Sequence, residues 1–217
     1  MLVPLFDDNP NRRFPLLTVL LIVINVLVFL YELSLADEAL VEFVYAAGFL
    51  PARLTGGEVP AIALLPLPVT FVSHMFLHGG WMHLIGNMWF LWIFGDNVED
   101  RLGPLRFLGI YLVWGWIAAA AQMILGADPS TPMVGASGAI AGVLGAYAVL
   151  YPRARVHALL FLFIFITRVT IPAFVMLGLW FAIQFVSLGQ AGVAWWAHIG
   201  GFIAGLAIGV PLRLGRR

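Results

Sequence analysis

The chain has 217 residues, of which 62% are hydrophobic and only 10% charged, with a mean hydropathy of +1.00. Soluble domains carry roughly 25% charged residues, so this composition points to a membrane protein. The 11 basic and 11 acidic residues cancel, leaving no basic footprint for nucleic acid, and the absence of cysteine excludes disulfides, thiolate metal sites and a cysteine nucleophile.

Segments approaching the roughly 20 apolar residues needed to cross a bilayer predict six spans, at about 14–31, 81–95, 106–125, 135–150, 170–188 and 195–212. The expected fold is an all-α membrane protein, a single domain over 1–217 with a long first extracytoplasmic loop. The first span follows Arg12 and Arg13 and exceeds the apolar core of a cleavable signal, which predicts a retained anchor. The stretch from Ser34 to His78 carries Asp37, Glu38, Glu42, Glu58 and several prolines, and is predicted to be a loop with some helical or interfacial structure.

The arginines orient this bundle through the positive-inside rule. Arg12, Arg13, Arg101, Arg106, Arg153, Arg155, Arg213, Arg216 and Arg217 all fall on one side of six spans, and Arg53 on the other. Arg168 joins the majority if the apolar run from Leu159 to Ile166 lies in the cytoplasmic interface or begins a long fifth helix. Both termini are therefore expected in the cytoplasm and the protein in the cell (inner) membrane.

The outward ends of the second, fourth and sixth spans then hold polar groups that a bilayer should exclude: His83 and Asn87, Ser137 within Gly135-Ala136-Ser137-Gly138, and His198. Such groups usually face one another or a wet cavity. The glycines, among them Gly138, Gly142, Gly201, Gly205 and Gly209, read first as close helix-packing positions. Packing of the fourth span on the sixth would place Ser137 beside His198, a hydroxyl beside a neutral imidazole able to take its proton. His83 and Asn87 share a helical face and can donate to an oxyanion together with the Ser137 amide. Asp128 is a weak third member, so the residues suggest a Ser-His dyad.

His74, His78 and His83 raise a metal alternative, but no Asp or Glu lies between Val59 and Gly95 and Met75 occupies the place of a metalloprotease glutamate, so no metal or cofactor is expected. His74 and His78 are expected to brace the end of the first loop. Glu99 and Arg101 are expected to pair or to cap the turn after the second span, and His157 to be structural.

In this order, His74-x3-His78-Gly79-Gly80-x2-His83-x3-Asn87, Glu99-Asp100-Arg101-Leu102-Gly103, Gly135-Ala136-Ser137-Gly138 and Ala197-His198-Ile199-Gly200-Gly201-x3-Gly205 resemble the rhomboid family of intramembrane serine proteases, over about residues 73–209. The resemblance implies a six-transmembrane-helix rhomboid-like bundle with Ser137 as nucleophile, His198 as general base, and His83, Asn87 and the Ser137 amide as oxyanion hole. It also implies transmembrane protein substrates cut near the non-cytoplasmic face, and a gate and cap formed by the fifth span and residues Ser187 to Trp196. A non-catalytic relative that binds transmembrane helices is the alternative; a small transporter would require internal repeats that the sequence lacks. Substrate identity and oligomeric state carry no sequence signal. Two features depart from the family pattern. The region Pro66–Ser73 lacks a Trp-Arg pair, and Ala141 stands where some members place a tyrosine against the histidine, leaving Trp195 or Trp196 to hold the ring.

Overall fold

The computed structural model of the protein describes residues 2–62, 64–126, 128–162, 165–186 and 193–215. Most of the expected cap, 187–192, together with Arg216 and Arg217, lies outside them. In chain order the elements are β1 (Leu2–Asp7), α1 (Leu16–Ser34), α2 (Asp37–Ala47), α3 (Ala52–Thr55) and α4 (Leu67–Ser73), which runs into a 3-10 turn at His74–Phe76. There follow α5 (Trp81–Leu102), α6 (Pro104–Leu125), α7 (Ser137–Leu150), β2 (Arg155–Leu162), β3 (Phe165–Pro172), α8 (Ala173–Val186) and α9 (Trp195–Leu214). Among the described residues α1, α6 and α9 are long and apolar enough to cross a membrane, while α7 and α8 are shorter apolar helices.

The protein is mostly helical, and the all-α expectation needs one correction. Strands β2 and β3 pair antiparallel from Arg155↔Pro172 to Leu162↔Phe165, and β1 adds to β2 from Leu2↔Leu160 to Asp7↔Val156. Within the run expected to lie in the interface or to begin a long fifth helix, Leu159–Leu162 and Phe165–Ile166 are strand, so the run does not begin that helix. The β-branched and aromatic residues of these strands favour a pleated backbone over a helical one. The fifth apolar helix accordingly starts at Ala173, after Pro172, and Thr170 belongs to β3.

The second apolar segment also differs from expectation, because α5 continues through Asp96, Glu99 and Arg101 to Leu102. Gly103, with φ of 79°, ends it, and Pro104 opens α6 at a position where the missing proline N–H costs nothing. Glu99 and Arg101 do not pair with each other. The Glu99 carboxylate accepts from the Leu17 and Thr18 amides at 2.9 and 2.7 Å and from the Thr18 hydroxyl at 2.8 Å, capping α1. Arg101 donates to the Leu212 carbonyl near the end of α9. His157 is structural: its Nε2 lies 2.7 Å from Asp8, and its ring stacks on Phe6.

The core is organised around α7, in which every residue from Gly138 to Tyr147 is buried. Its most extensive partner is α9, with α6 and α5 next. Small residues make this possible: a Cβ on Gly145 or Gly205 would overlap backbone of the facing helix, so only glycine permits the approach. The segment between α1 and α5 packs onto the loop preceding α7 through the Phe49–Met133 bridge and an Ala52 amide donating to Pro129 at 2.9 Å.

Candidate active site

Ser137 is the first residue of α7, so its own N–H is among the helix N-terminal amides without an intrahelical acceptor. Gly135 turns the chain into that helix with φ of 115°, and its N–H donates to the His74 carbonyl at 2.8 Å. His198 lies in the first turn of α9, whose Gly201 contacts the Gly138 carbonyl of α7. The result is a Ser137 Oγ to His198 Nε2 distance of 2.9 Å. A serine hydroxyl is thus within hydrogen-bond reach of an imidazole nitrogen across the tightest helix contact of the molecule.

His83 and Asn87 approach from α5. The Gly79 amide can only donate, so at 3.4 Å from His83 Nδ1 it assigns that nitrogen as acceptor. A neutral His83 then carries its hydrogen on Nε2. That nitrogen borders Gly135: a Cβ built there would stand 2.6 Å from His83 Nε2 and 3.7 Å from Asn87 Nδ2. Asn87 Nδ2 donates to His78 Nε2 at 3.0 Å, leaving its second hydrogen for a ligand. His78 is consistent with this, since its Nδ1 faces the Phe76 carbonyl at 3.3 Å and its amide donates to the Glu32 carboxylate at 3.1 and 3.3 Å.

His74 is buried, bonded through Nδ1 to the Thr70 carbonyl at 2.8 Å and tilted against Phe49. Its carbonyl accepts from the Gly135 amide and so holds that turn. Asp128 is spent on its own turn. Its carboxylate accepts from the Ser130 amide at 2.9 Å and the Thr131 hydroxyl at 2.5 Å, which keeps its pKa below the ordinary carboxylate value. Gly138 and Gly201 form the α7–α9 contact beside the site, and Gly205 contacts the Gly142 carbonyl further along it. Among the described residues no group of three or more His, Cys, Asp or Glu is arranged to hold a metal.

Gln184, Trp180 and Glu32 lie close to the site and belong to none of the sequence motifs, whereas Trp195 is one of the two residues expected to hold the His198 ring. Gln184 of α8 places Oε1 2.9 Å from His198 Nδ1. Trp180, on the same helix, lies 6.0 Å from the His198 ring, and Trp195 meets that ring edge-on at 5.8 Å. Glu32 anchors the His78 backbone from the last turn of α1. A polar side chain inside an apolar segment was the available signal for Gln184 and Glu32, the same one that marked His198.

The family model for the Rhomboid domain matches residues 68–214, more than half of the chain. The chain is 38% identical over 136 residues to rhomboid protease GluP of Bacillus subtilis, an alignment covering 62% of this chain and 25% of that protein. It is 35% identical over 142 residues to rhomboid-like protease 5 of Toxoplasma gondii, covering 62% and 15%. It is 32% identical over 158 residues to mitochondrial rhomboid protein 1 of Saccharomyces cerevisiae, covering 65% and 41%. The alignments thus span less than half the length of each of these relatives.

Proposed function

The chain belongs to the rhomboid family, and from that membership and the site geometry we propose that it is an intramembrane serine endopeptidase acting through Ser137 and His198. The observation that carries the reading is the 2.9 Å approach of Ser137 Oγ to His198 Nε2. In this reading Ser137 attacks the scissile carbonyl while His198 takes its proton and passes it to the leaving amine. His83 Nε2–H, an Asn87 amide hydrogen and the Ser137 N–H receive the oxyanion, and water then hydrolyses the acyl enzyme with His198 as base.

The proposed topology has six crossing helices (α1, α5, α6, α7, α8 and α9) with both termini in the cytoplasm of a cell-membrane protein. The arginine distribution supports it: Arg153, Arg155 and Arg168 lie around the β2 and β3 pair, on the side of Arg101 and Arg106. The 14 residues of α7 span about 21 Å, short of a hydrocarbon core of about 30 Å. A nucleophile at its outer end is then recessed below the non-cytoplasmic surface, where a transmembrane substrate reaches it laterally. The substrate class is a transmembrane protein, and no cofactor takes part.

The test is cleavage of a single-span substrate in liposomes by wild type, Ser137→Ala and His198→Ala, with fluorophosphonate labelling in parallel. Cleavage and labelling by wild type alone, with all three folded, is the expected result. Equal cleavage by all three overturns the site; a folded wild type that neither cleaves nor labels favours a binding protein for transmembrane helices.

A further inference from the structure

We propose that Gln184 is the positioning residue for His198, fixing its tautomer and ring orientation through a chain of hydrogen bonds that ends on the Trp180 carbonyl; this rests on the endopeptidase reading above. Gln184 is the only hydrogen-bonding polar side chain in α8 apart from the Trp180 indole, and it is 4% exposed. An amide buried in an apolar helix is costly unless both ends are bonded. Both ends are bonded here, and the partners dictate which way it points.

The Trp180 carbonyl can only accept, and Gln184 Nε2 lies 2.9 Å from it, so the NH2 end of the amide faces Trp180. Oε1 must then face His198 Nδ1 at 2.9 Å, and because Oε1 can only accept, Nδ1 carries the imidazole hydrogen. A neutral imidazole protonated on Nδ1 presents a lone pair on Nε2, the atom 2.9 Å from Ser137 Oγ. Every donor in the series Ser137, His198, Gln184 meets one acceptor, and the direction of proton flow from Ser137 is set by a backbone carbonyl. Trp180 and Trp195 restrict the ring from its sides. Ala141 offers no side chain for this role, being a buried part of the α7–α9 contact.

The arrangement does the work of the orienting carboxylate in a Ser-His-Asp triad without placing a net charge in the bundle. A neutral amide selects the tautomer but adds no countercharge to the imidazolium. Its removal is therefore expected to lower kcat by about 10- to 100-fold, less than the roughly 10⁴-fold effect of a wrong tautomer in a charged triad.

The experiment uses the full chain in liposomes and compares wild type with Gln184→Met, which keeps the length but accepts nothing useful, and with Gln184→Glu. A protonated glutamate can donate to the Trp180 carbonyl and accept from Nδ1, so Gln184→Glu should recover most of the loss. Expected for Gln184→Met is a kcat lowered about tenfold or more with KM within about twofold, since the bond acts on the chemical step. Nitrogen NMR of ¹⁵N-labelled histidine should show His198 as the Nδ1–H tautomer in wild type and a mixture of tautomers in Gln184→Met. Wild type in the Nε2–H form overturns the proposal without recourse to any variant. So does a folded Gln184→Met with unchanged kcat beside an active wild type. A wild type that neither cleaves nor labels at Ser137 overturns the endopeptidase reading, and the catalytic meaning of Gln184 with it.

Discussion

Gly201 of α9 sits against the Gly138 carbonyl of α7 so closely that a methyl group on its α-carbon would overlap that oxygen. Ser137 adjoins Gly138 and His198 lies one turn before Gly201, so this backbone contact sets the separation of hydroxyl and imidazole. Gly201→Ala cannot be absorbed by a rotamer change, because the obstructing atom is main chain. The helices must part, at a cost of about 1–3 kcal/mol for overpacking. A displacement near 1 Å at the reacting atoms lowers the cleavage rate by about 100-fold. Gly86→Ala on α5, where a Cβ meets nothing within 4 Å, is the control and should leave both stability and rate within experimental error or slightly better. Thermal unfolding and cleavage rates of the two variants check this; equal behaviour would remove the α7–α9 contact as the determinant of the dyad.

Gly135 couples a strained turn to the proposed oxyanion hole. Its φ of 115° is unfavourable for any side chain, and a Cβ would stand 2.6 Å from both Cε1 and Nε2 of His83. Gly135→Ala should therefore displace His83 and lower kcat by about 100-fold, the order expected for loss of one oxyanion donor, with a smaller effect on KM. Crystallographic or NMR comparison of the His83 ring would show the shift. An unchanged kcat with His83 displaced would mean that His83 does not serve the oxyanion.

The polar residues at the site were legible because a bilayer makes each of them conspicuous: Ser137, His198, His83 and Asn87 stand out from apolar runs on three segments. Gln184 and Glu32 obey the same rule and were still passed over, since neither belongs to a spaced motif and an isolated amide or carboxylate gives no geometry until its partner is placed. The antiparallel pair of β2 and β3 was hidden by its apolar composition, which suits a membrane helix as well as a strand. Only the β-branched and aromatic content separates the two. Pairing of β1 with β2 joins residues about 150 positions apart, a relation that local periodicity does not encode. The capping role of Glu99 was missed for a related reason: its partners are at Leu17 and Thr18, not in the adjacent turn.

Glu99 is 3% exposed and satisfies two orphan amides and one hydroxyl at the start of α1, where Pro15 supplies no side-chain cap. Glu99→Ala would leave these donors buried and unpaired. Loss of a charged multidentate cap of this kind is expected to destabilise the fold by about 2–3 kcal/mol. The proposed site lies at the opposite end of α5, so cleavage per active site, counted by fluorophosphonate titration of a parallel unreacted sample, should hardly change. Measuring thermal unfolding alongside this titrated activity separates the two effects. A fall in activity per titrated site would show that α1 influences the site directly.

Asp7 gives the fold a pH dependence of defined sign. Burial raises its carboxyl from the ordinary 3.8 to about 6, with Asp96 adding like-charge repulsion and the Tyr147 hydroxyl and the Asn9 amide acting in the opposite direction. The folded protein therefore holds a proton that the unfolded chain has released between about pH 4 and pH 6, so stability falls as pH rises through that window and levels off above it. Asp7→Asn keeps an acceptor for Tyr147 but carries no charge, and should flatten this slope and leave the variant the more stable of the two near neutrality. Tyr147 lies ten residues, about 15 Å, along α7 from Ser137, so cleavage per folded molecule should be unaffected. Unfolding midpoints of wild type and Asp7→Asn from pH 4 to pH 8 provide the measurement: converging curves at the acid end and a gap opening toward pH 6 are expected, and parallel curves would place the titration on another group.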